Sequence, residues 1–199
     1  LKRAEDFIEE LKQAGAFHDA PDGEFTESEA KTEAQQAVEQ LFKQIESRAV
    51  MLLAIREHGA KELKTKLISK FPETPELLVK TQEPVGLVKQ LVDDVIELCQ
   101  TQNWQSDERY LDQVVGSMME KGQGPMKIRQ KCQQACQDSS LIDAYLDIDS
   151  SEWLAIARKV MMKKYGDLSR PTNRNEQAKR MRFLQSRGFA SEVVWKVFR

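Results

Sequence analysis

Apolar side chains recur at steps of three and four residues along most of this chain, with polar residues filling the gaps. That period marks helices that bury one face. The longest stripe is Val38, Leu41, Phe42, Ile45, Ala49, Leu52 and Leu53, which predicts a helix over about 27–57 that Gly59 stops. A second helix carries Leu63, Leu67 and Ile68 and ends before Phe71-Pro72. Residues 72–84 form a polar connector in which Thr74-Pro75 offers a helix start. The stripe Leu87, Leu91, Val92, Val95, Ile96 and Cys99 predicts a helix over about 84–102, with Trp104 at its end. Ser106 then caps a helix whose inner face is Tyr110, Leu111, Val114, Val115, Met118 and Met119. Pro125 opens a short helix over 125–137 with Ile128, Cys132 and Cys136 inward, and 141–146 makes another turn of helix. Over 150–165, Trp153, Ile156, Ala157, Val160 and Met161 face inward and Arg158, Lys159 and Lys163 fall on the opposite side, while Lys164 snorkels from the edge. A loop at 167–173 leads to a final helix pair. Capping boxes at Thr26-Glu-Ser-Glu29 and Asp149-Ser-Ser-Glu152 mark two further starts.

The stripes repeat. Leu53-Ala-Ile-Arg-Glu-His-Gly-Ala-Lys-Glu-Leu-Lys-Thr-Lys-Leu67, Met118-Met-Glu-Lys-Gly-Gln-Gly-Pro-Met-Lys-Ile-Arg-Gln-Lys-Cys132 and the end of the chain, Arg182 to Phe198, share one frame. Each is a helix end, a tight turn and a second helix beginning at Gly59, Gly124 or Ala190. Four residues past these anchors stand Leu63, Ile128 and Val194; eight past them stand Leu67, Cys132 and Phe198. The anchors lie 65 and 66 residues apart. Even spacing of this kind points to tandem copies of one supersecondary unit, each burying its apolar face on its neighbours. The expected architecture is all-α, an elongated, curved array of three-helix repeats. Its expected divisions are an acidic appendage at 1–25, repeat one at 26–105, repeat two at 106–172 and a third, truncated repeat at 173–199. The appendage carries an amphipathic helix over 1–14, with Phe7, Ile8 and Leu11 against Glu5, Glu9 and Glu10, and a turn-rich linker at 18–24.

Composition supports the helices and adds a polarity. Only nine Gly and six Pro interrupt 199 residues rich in helix formers. Three Cys and no signal-like N-terminus fit a reducing cytoplasm without disulfides, and a monomer is expected. The chain starts without Met, so a short leader is expected before it. No apolar run reaches the roughly eighteen residues of a membrane helix. Net charge is −2, yet residues 1–33 balance at −6 and residues 158–199 at +9. A chain so polarised suits a partner that is itself partly anionic.

Catalytic chemistry finds little footing. His58 beside Gly59 sits where an imidazole meets free helix carbonyls. Cys132 and Cys136, one turn apart, lack the further ligands of a tetrahedral metal site and are expected to be one buried and one half-buried thiol. Asp143, Asp147, Asp149 and Glu152 lack a calcium-loop glycine, and capping accounts for the last two. Gly122-Gln-Gly124-Pro125 is a tight turn before it is an anion cradle. No phosphate loop is present. The expectation is a non-enzyme without cofactor or metal. What remains is a set of helical corners bearing Lys127, Arg129, Arg158, Lys159, Lys163, Arg174, Lys179, Arg180, Arg182 and Arg187. Such residues neutralise phosphates or meet an acidic protein groove. Trp195, at the edge of the last apolar arc, is expected to pack into the core, with partner anchoring as the other role.

Three sets of residues, in order, carry a family resemblance: Arg56-Glu-His-Gly-Ala-Lys-Glu-Leu63; Ser106-Asp-Glu-Arg-Tyr110 with Lys121-Gly-Gln-Gly-Pro-Met-Lys-Ile-Arg129; and Trp153 with Arg182-Phe-Leu-Gln-Ser-Arg-Gly-Phe189. Over about residues 45–199 the chain resembles the RecX family, bacterial regulators of the RecA recombinase. It departs in having Gly59 and Ala190 where the family often has Ser, and Asn103-Trp-Gln-Ser-Asp107 in place of a Tyr-Leu-Asp-Asp-like run. The resemblance implies tandem three-helix repeats that bind in the groove of the RecA–DNA filament, contact naked DNA weakly, and suppress ATP hydrolysis, strand exchange and co-protease activity. It thereby implies damping of recombination and the SOS response. Charge and position single out Arg129, Arg158, Lys163, Arg180, Arg182 and Arg187 as contacts. A stand-alone nucleic-acid-binding repeat protein is the alternative.

Overall fold

The computed structural model describes residues 27–198, with side chains from residue 32 onward. The expected helix at 1–14, the linker at 18–24, the Thr26 cap and Arg199 lie outside the described residues. Those residues form ten helices and no strand. They are α1 (Glu27–Ile55), α2 (Ala60–Lys70), α3 (Pro75–Thr81), α4 (Leu87–Thr101), α5 (Asp107–Glu120), α6 (Pro125–Ala135), α7 (Ser139–Leu146), α8 (Ser150–Tyr165), α9 (Arg174–Ser186) and α10 (Ser191–Val197). Among the described residues no helix is long and apolar enough to cross a membrane.

The repeat shows in the backbone. Gly59, Gly124 and Ala190 each occupy the N-cap of the second helix in extended conformation, and each lacks a side-chain cap. Each carbonyl accepts from the amide four residues on: Leu63 at 2.9 Å, Ile128 at 3.2 Å and Val194 at 3.0 Å. The same three residues are fully buried, so one apolar contact recurs at one place in each copy.

Two cores result. Leu41, Ile45 and Ala49 of α1, Leu63 and Leu67 of α2, and the inner face of α4 from Leu87 to Cys99 form the first. The second joins α5, α6 and α7 to the end of the chain, through Tyr110, Leu111, Ile128, Cys132, Ile142, Trp153, Ala157, Met161, Leu184 and Val194. In the first unit α4 covers the pair α1–α2, and in the second α7 covers α5–α6. The pair α9–α10 is covered instead by α8, which precedes it and packs chiefly on α10. The boundary expected at 172 therefore falls inside the group that α8, α9 and α10 make by packing.

At two of the helix starts that lack a capping side chain of their own, Gly59 and Gly86, distant carboxylates serve. Asp107 Oδ1 accepts from Ala60 N at 2.8 Å, capping α2 from the next unit. Glu73 accepts from Gly86 N at 2.9 Å and Val88 N at 3.0 Å, capping α4. Locally supplied caps also form at Thr74, Ser106, Asp138, Asp149 and Asn173. Helix α4 begins later than its stripe predicts, because Pro84 precedes Gly86 and Gly86 takes φ +107°. Ile68, expected inward, is 38% exposed, leaving Leu63 and Leu67 as the buried residues of α2. Cys132 and Cys136 are both buried rather than one of them half so, and burial pushes the Cys136 thiol up to about 12.

Candidate partner-binding groove

The joint between the second and third units is made of main chain. Gly124 N donates to Arg187 O at 2.7 Å, and Met126 N donates to Gly188 O at 3.1 Å. A Cβ on Gly124 would lie 2.5 Å from the Gly188 carbonyl, and one on Gly188 would lie 2.6 Å from Lys127 N. Gly188 also takes φ +89°, so the two corners approach this closely only as glycines. Gly122 meets Val160 of α8 in the same way.

This joint sets the walls of a cleft of about 590 Å³ between the end of α5, the length of α8 and the end of α9. Its floor is Met119, Ile156, Val160 and Phe183. Its rim carries Lys121, Lys159, Lys163, Lys164 and Arg187, with Glu120 and Glu152 also lining it. Residues 152, 156, 159, 160, 163 and 164 are neighbours at helical spacing, so α8 alone supplies one wall, and Lys159 and Lys163, expected opposite Ile156 and Val160, share it with them because Trp153, Ala157 and Met161 take the buried face.

Two of these cations are held by aromatic rings. Lys164 Nζ lies 3.7 Å from the Phe183 ring centre, and the Arg187 guanidinium lies 5.4 Å from the same ring. Tyr165 meets Phe183 edge to face at 5.8 Å. Arg187 also donates to Lys121 O at 2.9 Å, fastening the third unit to the second. Each cation–ring contact contributes about 0.5–1 kcal/mol at an exposed site.

Three of the ten residues singled out from the sequence therefore meet in the groove: Lys159, Lys163 and Arg187. Lys121, Lys164 and Phe183 join them without having been singled out. The others lie elsewhere. Arg129 pairs with Asp143 of α7. The Arg180 side chain is only 13% exposed; it packs on the Tyr165 ring at 4.9 Å and pairs with Glu176 at 3.4 Å and Asp167 at 3.9 Å. Lys127 backs onto Gly188, and Arg158 is exposed outside the groove lining. Arg174, Lys179 and Arg182 are exposed on α9, Lys179 lying 3.7 Å from Glu176. Trp195 is 49% exposed, against the expectation that it packs into the core, because Val193, Val194, Val197 and Phe198 already fill the inner face of α10.

The residues weighed for catalysis or metal binding are accounted for structurally. The His58 ring accepts from Lys66 Nζ at 3.2 Å through Nε2, so Nδ1 carries the hydrogen and donates to Arg56 O at 2.9 Å. Burial lowers its pKa. Asp149 accepts from Ser151 N at 2.6 Å as a helix cap. No group of three or more metal-ligating side chains gathers among the described residues.

Comparison with known proteins gives this geometry a setting. A family model, RecX, third three-helix domain, matches residues 150–198, which are α8, α9 and α10 with their connections. The regulatory protein RecX of Serratia proteamaculans is 33% identical over 162 residues, covering 77% of this chain and 95% of that protein. That of Yersinia enterocolitica is 31% identical over 158 residues, covering 76% and 94%. Crystal structures of RecX from Lactobacillus salivarius and of a second regulatory protein RecX align with TM-scores of 0.61 and 0.59. They cover 79% and 81% of this chain at 16% and 21% identity, so they support the fold alone. A relative one-third identical along nearly its whole length, together with the match of residues 150–198 to the third three-helix domain of RecX, shows that the chain belongs to the RecX family of regulatory proteins.

Proposed function

We propose that this protein binds the RecA–DNA filament, restrains its ATPase, recombinase and co-protease activities, and so modulates DNA repair and the SOS response. The observation that carries the reading is the groove at the joint of the second and third units, where five cations surround an apolar floor. A filament of protein on DNA offers acidic side chains and phosphates together, and a rim of exposed cations answers both. Lys159 and Lys163 belong to that rim, and exposed Lys127, Arg158, Arg174, Lys179 and Arg182 add basic side chains elsewhere on α6, α8 and α9. Arg129, Arg180 and Arg187 serve this reading through the pairings and stacking that fix them in place. In this reading the protein acts as a cytoplasmic monomer, with the helical units as the contact surface and weak affinity for naked DNA.

The test is ATP hydrolysis by RecA on single-stranded DNA, titrated with this protein, beside a naked-DNA binding curve over salt. Inhibition with little naked-DNA affinity supports a filament regulator. Absence of inhibition together with tight DNA binding, falling steeply with salt, overturns it in favour of a stand-alone nucleic-acid-binding protein.

A further inference from the structure

We propose that the groove receives an acidic, amphipathic helical segment of a protein partner, and not a nucleic-acid strand. The inference deepens the regulatory reading above, and rests on it only for the identity of the partner. Three observations distinguish the two ligands. The floor of Met119, Ile156, Val160 and Phe183 is apolar and half-buried while the lysines of the rim are exposed, so a ligand that fills the cleft must bring apolar side chains with it. A strand of nucleic acid would bring bases, which bind proteins by stacking on free aromatic faces. Phe183 is the aromatic ring in the lining, and it is already occupied by Lys164, Arg187 and Tyr165. Glu120 and Glu152 also line the cleft, where they would repel a continuous row of phosphates.

The dimensions and polarity fit a short helix. From Glu152 to Lys164 the wall of α8 extends about 18 Å, the rise of about twelve helical residues. Apolar side chains at three- and four-residue steps would enter between Met119, Ile156 and Val160, as helices do in hydrophobic grooves. Carboxylates on the flanks would meet Lys159, Lys163 and Lys164 towards one end. A cation near the ligand's other end would meet Glu152, which sets its direction. Lys164 and Arg187, braced on Phe183, already hold much of the order that binding would otherwise have to impose.

Fluorescence anisotropy tests this with the full chain and three probes. One is a labelled peptide of about 14 residues with Leu at alternating three- and four-residue steps, Glu between them and a Lys near one end. The second replaces each Leu with Ser, and the third is an oligothymidine of similar net charge. The expected result is binding of the Leu peptide, at least about tenfold weaker binding of the Ser peptide, and no displacement by oligothymidine. The variant Lys159→Glu/Lys163→Glu changes two exposed side chains, retains the parent melting curve, and lowers peptide affinity by at least about tenfold. Equal binding of the two peptides, displacement by oligothymidine, or unchanged affinity in the variant would each overturn the proposal. RecA ATPase measurements separate the two readings. Inhibition without peptide binding sinks only the helical-ligand proposal, whereas peptide binding without inhibition sinks only the filament reading.

Discussion

Asp107→Ala should loosen the joint between the first and second units. One carboxylate oxygen accepts from Ala60 N at 2.8 Å and from Gln105 Nε2 at 2.9 Å. Gln105 is buried, and its amide also donates to His58 O at 3.1 Å and accepts from Gln100 at 3.1 Å. Removing the carboxylate uncaps α2, at about 1 kcal/mol. It also leaves one buried amide hydrogen without an acceptor, at about 1–3 kcal/mol. Both losses fall on one oxygen and partly overlap, so the net is about 2–3 kcal/mol. In a protein of this size that lowers Tm by roughly 5–10 °C. Asp107→Asn keeps an acceptor in place and should lose less than half as much. Thermal and urea denaturation followed by circular dichroism measure both variants. An alanine variant within about 0.5 kcal/mol of the parent would refute the cap across units. So would an asparagine variant as unstable as alanine.

Gly188→Ala should destabilise by more than about 2 kcal/mol, since it combines positive φ with a backbone clash, whereas Gly166→Ala, with φ +69° and open space, should cost about 1–2 kcal/mol; equal losses in urea unfolding would refute the interlock of the two corners. Burial holds the His58 pKa below its ordinary 6.5, so the unfolded chain binds the extra proton first. Stability from this group is present above about pH 6.5 and is lost as pH falls through the lower folded value, and His58→Gln should melt with a flatter profile between about pH 7 and 5; identical profiles would refute it. The Tyr110 hydroxyl is buried without a hydrogen-bond partner among the described residues, so Tyr110→Phe should be neutral or stabilise by up to about 1 kcal/mol in the same denaturation assay, and a clear loss would show that the hydroxyl is satisfied.

Features carried by one stretch of chain were legible in the sequence. Trp153, Ala157 and Met161 stand four residues apart, and that spacing alone places them on the buried side of α8. The three corners were legible because Leu63, Ile128 and Val194 keep one offset from their anchors. Features made by two distant stretches were not. Asp107 and Glu73 cap helices through amides 47 and 13 residues away, and no local pattern announces such a bond. Lys159 and Lys163 were visible as a charged face, but Lys121 reaches their groove only because Gly122 nests on Val160. Arg180 looked like a free contact because a helical wheel does not show Asp167 or the Tyr165 ring, which lie outside its helix. The covering role of α8 was equally hidden, since a repeat read by its corners assigns each third helix to the pair before it.

The joint between Gly124 and Gly188 separates two properties that most binding surfaces vary together. Its hydrogen bonds run between backbone groups, so the spacing of these two corners does not depend on the charged side chains of the groove, and α8 is placed by Val160 on Gly122 and by its buried face on α10. Charges on α8 can therefore be exchanged, reversed or removed while the opening keeps its width. Such a groove is a socket of constant bore whose lining can be rewritten for a different ligand, and for an engineer that makes α8 the place to change what this protein recognises.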